Sequence, residues 1–340
     1  MSGDLLHVGI IGAGRIGSIH AETLAFRIPE ARILSIADVN RGAAEALASR
    51  CRIAEVAASS EDILADRRIQ AVLICSSTDT HAGLIAAAAR SGKHIFCEKP
   101  IARTLAEIDC ALKEVEKTGV KLQIGFNRRF DANFARVRRA VAEGEIGRPS
   151  LMHITSRDPG PPPLAYVRVS GGIFVDMTIH DFDMARFVIG DEVEEIYTAG
   201  GVHVDPEIGR AGDLDTALIV LRFRNGVIGT IDNSRRAAYG YDQHLEILGS
   251  EGKIETDNCY PNTAELSTGK AVSRDLPLNF FLERYRDSFT SELQAFVAAV
   301  REDRPTPVTG IDGRIPIQMA LAARKSHDEN RPVRLEEVVA

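Results

Sequence analysis

The chain is poor in cysteine: five (Cys51, Cys75, Cys97, Cys110 and Cys259) in 340 residues, with no CxxC pair and no ligand-spaced cluster. That rules out a disulfide-stapled or cysteine-zinc scaffold, and the odd count fits a reducing compartment. Cys75 and Cys97 lie inside apolar runs and read as small buried hydrophobes. A basic excess is missing too: 41 Lys and Arg face 48 Asp and Glu, a net charge of −7. A nucleic-acid-binding surface would show a basic stripe. The pairs Arg67-Arg68, Arg128-Arg129, Arg138-Arg139 and Arg235-Arg236 stand mostly among carboxylates and read as solvated helix faces or anion contacts within a site. No apolar run approaches the roughly 20 residues that cross a bilayer, and Met1–Asp4 carries no basic leader pattern. The expectation is a soluble, cytoplasmic protein whose partners are neither nucleic acid nor membrane.

Internal repeats and low-complexity tracts are absent as well. With 44% apolar residues and ordinary glycine and proline, the chain is globular. Its length favours two domains over one core.

The first third alternates strand and helix. Leu5–Ile11, Ala31–Ala37, Ala71–Cys75, His94–Cys97 and Lys121–Phe126 are short, nearly continuous apolar runs. Between them Arg15–Phe26, Ala43–Arg50, Ser60–Leu64, Thr80–Arg90 and a segment capped by Thr104, reaching about Thr118, carry helical spacing. Such strands imply a parallel sheet covered on both faces. Ligands then bind outside the carboxyl ends of the strands. Those ends are Gly12–Gly17, Asp38, Ser76–His81, Glu98–Pro100 and Asn127–Arg129, all polar or glycine-rich.

Gly12-Ala13-Gly14-Arg15-Ile16-Gly17 is a G-x-G-x-x-G between strand and helix. Gly12 permits the turn, Gly14 lets backbone approach a pyrophosphate, and Gly17 lets helix and strand pack closely. Asp38 ends the second strand 24 residues after Gly14, where a carboxylate binds ribose hydroxyls and repels a 2′-phosphate. NAD is favoured over NADP. Arg41 is the dissenting residue, since an arginine there could hold that phosphate.

Two segments could move a proton. Lys99, in Cys97-Glu98-Lys99-Pro100, follows a strand on the cofactor side. Asp176 and His180, four apart after Gly171-Gly172, would share a face if Asp176 lies at the start of a helix. Histidine can accept a hydroxyl proton near neutral pH, and a neighbouring carboxylate orients it. A metal site would need a third ligand; His203, His153 and Asp181 are available, but no spacing favours them, and none is expected.

From Gly147 the pattern changes to short strands: Leu151–Thr155, Glu194–Ala199, Thr216–Phe223, Gly226–Asp232, His244–Gly249 and Lys253–Thr256. Asn225-Gly226 marks a hairpin. Helices are expected at His180–Ile189, Leu282–Val300 and Ile311–Lys325. The reading is α/β: a Rossmann dinucleotide-binding domain over 1–126, then an α+β domain over 127–340 with a large, mostly antiparallel sheet. The second domain would serve substrate binding and oligomerisation, and its closing helices could reach back to the first.

Together, Gly12–Gly17, Glu98-Lys99-Pro100 and Gly171-Gly172…Asp176-x-x-x-His180 resemble the glucose–fructose oxidoreductase, inositol dehydrogenase and rhizopine-catabolism (Gfo/Idh/MocA) family. The resemblance covers essentially the whole chain. Gly14–Ala21, Ser76–His81, Gly125–Asp131, Asp176–Arg186 and Ala238–Gln243 are closer still to its bacterial inositol-dehydrogenase branch. It implies oxidation of a ring hydroxyl of a cyclic polyol, myo-inositol to 2-keto-myo-inositol first, within inositol catabolism. It implies Lys99, Asp176 and His180 as the catalytic trio, with His180 the base. Substrate neighbours would include Asn127, Arg128, Asp158 and Tyr239. Cofactor contacts would come from Gly12, Gly14, Arg15, Ile16, Gly17, Asp38, Ser76, Ser77, Thr78, His81, Glu98 and Lys99. It also implies an open sheet face that pairs with another subunit; since one face of such a sheet is left for an interface, a homo-oligomer, a tetramer, is the expectation. The proline-rich Ser156–Tyr166 segment is the place where substrate choice would vary. Another inositol isomer or an aldose remains an alternative substrate, and a non-catalytic NAD-binding sensor remains an alternative function.

Overall fold

A computed structural model describes residues 5–340, which divide into two units. The first takes residues 5–130 together with 287–317; the second takes 131–286 and 318–339. The late segment 287–317 belongs with the first unit.

In the first unit the strands are β1 (Leu6–Ile11), β2 (Ala31–Ala37), β3 (Glu55–Val56), β4 (Ala71–Ile74), β5 (His94–Glu98) and β6 (Leu122–Gly125). They form one parallel sheet in the order β3-β2-β1-β4-β5-β6. Between them run α1 (Arg15–Arg27), α2 (Arg41–Cys51), α3 (Ser60–Ala65), α4 (Thr78–Arg90) and α5 (Leu105–Thr118). The order reverses between β1 and β4, which places the switch point beside the glycine loop that follows β1. Val8, Ile10, Leu73 and Phe96 are wholly buried because helices cover both faces, so the strands read as continuous apolar runs and not as alternation. Leu293, Phe296 and Val297 of helix Arg286–Arg301 complete this core.

That late helix also delivers Glu292, fully buried, to a pocket beside His20 and Glu98. The ligand-type atoms of the three side chains lie within 4.8 Å of one another. His20 Nε2 and Glu98 Oε1 are hydrogen bonded at 2.6 Å, while neither Glu292 oxygen has a hydrogen-bond partner. Burial, followed by the neighbouring Glu98 charge, pushes the Glu292 carboxyl well above the ordinary carboxylate range. A raised carboxyl stabilises the fold below its unfolded value, and the stability drains away as pH rises through the folded value. Glu292→Gln removes this burden. Its melting temperature should match the wild type near pH 4 and rise increasingly above it toward pH 8. A difference independent of pH, read by scanning fluorimetry, would show that Glu292 is not the titrating group.

The second unit begins with α6 (Ala132–Ala142) and β7 (Pro149–Arg157), followed by α7 (Leu164–Ser170) and α8 (Ile179–Ile189). Then come β8 (Val193–Gly201), α9 (Pro206–Arg210), β9 (Thr216–Phe223), β10 (Ile228–Ser234), β11 (Asp242–Gly249) and β12 (Lys253–Thr256). A small hairpin, β13 (Glu265–Ser267) with β14 (Val272–Arg274), and the short β15 (Val333–Arg334) complete the strands. The main sheet runs β12-β11-β7-β10-β9-β8-β15. All pairs are antiparallel except β7 with β10. Asn225 and Gly226 make the β9–β10 turn as expected: Gly226 takes φ +89°, and Asn225 Oδ1 accepts from the Val227 amide.

Side chains alternate across this sheet. Met152, Ile154, Ile219, Leu221, Ile231, Leu245 and Ile247 are buried on one face. On the other, Leu248, Leu151 and Ile228 stand in register across β11, β7 and β10, each between 40% and 49% exposed.

Candidate active site

At the end of β1, Gly12 turns at φ +109°, and a Cβ there would lie 2.5 Å from the Cys75 backbone. Only glycine fits. A Cβ on Gly17 would meet the Gly12 carbonyl oxygen at 2.1 Å, so the helix can lie this close to the loop only without a side chain. Over Gly14 there is open space, and Gly14 caps α1 without any side-chain hydrogen bond. No acidic residue occupies the first turn. A helix N-terminus with unshielded amides above an open glycine is a cradle for a diphosphate.

Asp38, at the carboxyl end of β2, accepts the Ala13 amide at Oδ2 (2.6 Å) and the Asn40 amide at Oδ1 (2.7 Å). These bonds tie the acid to the glycine loop and fix its direction. Each oxygen retains a second lone pair for a ribose hydroxyl. Arg41, the residue that argued for a 2′-phosphate, turns to Glu45 one helical turn away (2.8 Å). Buried Asn127 opens the 3₁₀ turn after β6, and its Nδ2 has no hydrogen-bond partner. An orphaned amide at a strand's carboxyl end is what a bound ligand would satisfy. Arg128 is buried beside it in sequence. Lys99, partly exposed, follows β5 directly.

Two expected cofactor contacts are engaged elsewhere. Both ring nitrogens of buried His81 meet backbone carbonyls, Pro100 O at 2.8 Å and Ser76 O at 3.0 Å, so the imidazole braces these two loops. The Glu98 side chain turns inward to His20. Burial explains both arrangements: a polar group shut off from water must find its partner within the protein. Ser76 bonds Thr80 at 2.6 Å, and Ser77 and Thr78 open α4 at the rim.

In the second unit Asp176 lies in a π-helical turn, Phe174–Thr178, that runs straight into α8. Asp176 and His180 are thus four residues apart on continuous helical backbone, as the sequence required. Tyr166 donates to Asp176 Oδ1 at 2.8 Å, and Arg235 donates to Oδ2 at 3.0 Å. Both partners were missed. Tyr166 sits on α7, which begins just after Pro161-Pro162-Pro163, so the expected stiff loop ends in the first turn of a helix. Asp181, once a candidate metal ligand, is wholly buried and accepts from Asn233 at 2.9 Å. His153 is taken by Thr230 at 2.6 Å. Tyr239 bonds Arg157 at 3.0 Å and also Asp242. Asp158 joins the same region through its backbone, accepting the Ala237 amide at 2.6 Å. His244 and Asn258 further stabilise the Asp242 carboxylate, and His244 is itself made more basic by Asp242.

Known proteins match along the whole chain. Residues 6–126 fit a family model described as an oxidoreductase family with an NAD-binding Rossmann fold. Residues 134–255 fit a GFO/IDH/MocA C-terminal domain. A myo-inositol 2-dehydrogenase of Thermotoga maritima is 49% identical, covering 98% of this chain and all of the relative. An inositol 2-dehydrogenase of Rhizobium meliloti is 43% identical, covering 96% and 98%. Among solved structures, scyllo-inositol dehydrogenase of Lactobacillus casei with bound NAD(H) and scyllo-inositol superposes with a TM-score of 0.92. Its identity is 28%, and the match covers 98% of this chain and all of the other.

Proposed function

Because the chain belongs to the GFO/IDH/MocA family of NAD-binding oxidoreductases, we propose that it oxidises the C2 hydroxyl of myo-inositol to 2-keto-myo-inositol. The observation that carries this reading is full-length likeness to inositol 2-dehydrogenases. The glycine cradle and Asp38 supply the NAD half independently, from geometry.

NAD, when bound at that cradle, supplies the hydride acceptor. Gly12, Gly14 and the first amides of α1 would hold its diphosphate, and Asp38 its ribose. The protein's own part is the proton. His180 accepts it from the hydroxyl, and Asp176 orients the imidazole. Lys99 donates to the same oxygen, stabilising its developing negative charge. The substrate loses one proton and one hydride, and C–OH becomes C=O. Asn127, Arg128, Asp158 and Tyr239 are assigned to the remaining hydroxyls.

The exposed Leu248, Leu151 and Ile228 row supports a homo-oligomer, a tetramer, assembled through the open sheet face. A monomer in sedimentation at micromolar concentration would refute this.

The test is NADH formation across a panel of inositol isomers and aldoses, with NAD and NADP side by side. myo-Inositol with NAD should give the highest kcat/KM. A preference for scyllo-inositol or an aldose would keep the chemistry and replace the substrate. No turnover on any member, with NAD still bound, would favour a sensor.

A further inference from the structure

We propose that Arg235 is a positioning residue for the proton-accepting pair: its buried guanidinium holds Asp176 by one oxygen and sets how strongly that carboxylate acts on His180. The inference rests on the reading of Asp176 and His180 as that pair.

Arg235 follows β10 and is 1% exposed. Its amide is fixed to the Asp215 carbonyl at 2.8 Å, so the side chain leaves a held backbone. Nη1 donates to Asp176 Oδ2 at 3.0 Å. Nη2 lies 3.7 Å from Asp213 Oδ2, close enough for charge attraction without a hydrogen bond. Asp213 in turn accepts the Ile173 amide at 3.0 Å, and a Cβ on Gly172 would lie 2.8 Å from the same oxygen. Asp213 therefore fixes the start of the helical turn that carries Asp176, and Arg235 fixes that residue's side chain. The three residues come from separate parts of the second unit: the turn before β9, the end of β10 and the π-helical turn. They converge on one carboxylate.

Tyr166 from α7 and Arg235 after β10 bond Asp176 directly, Asp213 before β9 lies against Arg235, and His180 and Asp181 follow on α8. Asp181 keeps its carboxylate, whose Oδ2 accepts from Asn233 at 2.9 Å. Arg235 places a positive charge directly on Asp176 Oδ2. It offsets one of the carboxylate charges on this side of the histidine. Without it the surroundings are more negative by one charge, and a protonated His180 is favoured more strongly. The base then has to be freed of its proton at higher pH before it can act.

The experiment compares Arg235→Gln, Arg235→Lys, Asp176→Asn and the double variant Asp176→Asn/Arg235→Gln. For Arg235→Gln, kcat should fall roughly tenfold to hundredfold, the loss of a charged hydrogen bond. KM should change by less than about threefold, because no contact to substrate is removed. The acid limb of the kcat profile should move up by about one pH unit. NADH binding, followed by nicotinamide fluorescence, should match the wild type. Arg235→Lys keeps the charge and loses the planar fork, so it should lower kcat without moving the limb; it carries the test if the glutamine variant fails to fold. In the Asp176→Asn background, Arg235→Gln should cost less than about threefold, since residues acting through one another are not additive. Full additivity, or an unshifted profile with a lowered melting temperature, would reduce Arg235 to a structural role. An Asp176→Asn variant as active as the wild type would overturn the parent reading instead.

Discussion

His180→Ala should lower kcat for polyol oxidation by about a thousandfold or more, while NADH binding stays at its wild-type strength. A positioned general base contributes about a hundredfold to ten-thousandfold, and this imidazole is the group assigned to receive the hydroxyl proton. Alanine leaves no acceptor, and a water in its place is a weak base held by nothing. The cofactor should be indifferent: the features that fit a dinucleotide, Gly12, Gly14 and Asp38, all lie in the first unit. Binding is read by nicotinamide fluorescence and turnover by NADH absorbance. Asp176→Asn should follow the same pattern less severely, because it disorients the base without deleting it. A residual rate in His180→Ala within about tenfold of the wild type would move the base elsewhere, and Lys99 would be the next residue to replace.

The parts of this prediction differ in how they could be read. Asp38 and the glycine loop were legible because their chemistry is local: a turn, a helix start and a strand end within one βαβ unit. Spacing also pointed to Asp176 and His180, which lie four apart on continuous helical backbone. The π-helical turn at Phe174–Thr178 was not legible, as its extra width reflects packing and has no residue signature. Nor were Tyr166 and Arg235. They are 10 and 59 residues from Asp176, and an arginine in an Arg-Arg pair reads first as surface charge. The side-chain partners of His81 and Glu98 were hidden for a related reason. Glu98 ends β5 and His81 lies in the first turn of α4, but which way a side chain turns depends on neighbours brought in from distant segments, Pro100 for one and His20 for the other. Glu292 is the extreme case. A glutamate in an amphipathic helix looks solvated until the helix is seen to lie against the core of the first unit.

Distant pairing also underlies the largest expected loss of stability. Arg284 and Asp131 are 153 residues apart and form a two-pronged ion pair in the second unit, Nη1–Oδ2 at 2.5 Å and Nη2–Oδ1 at 3.1 Å. Both are under 10% exposed. Burial works against the Arg284 charge, but Asp131 outweighs it and holds the guanidinium firmly protonated. Asp131 also caps α6, accepting the Asn133 and Phe134 amides. Arg284→Met removes the cation and strands a buried carboxylate, which costs about 3–5 kcal/mol. For a unit of this size that is a fall of roughly 6–20 °C in melting temperature. Adding Asp131→Asn should recover most of the loss: asparagine caps a helix as well as aspartate, and it leaves no uncompensated charge behind. The double variant separates two accounts of the pair. If stability returns, the penalty lay in the stranded charge, and the bridge fixes which segments meet more than it stabilises them. If the double variant melts as low as Arg284→Met alone, the two hydrogen bonds and the packing of the guanidinium over the Tyr285 ring, 4.7 Å away, are what hold residue 284 to α6.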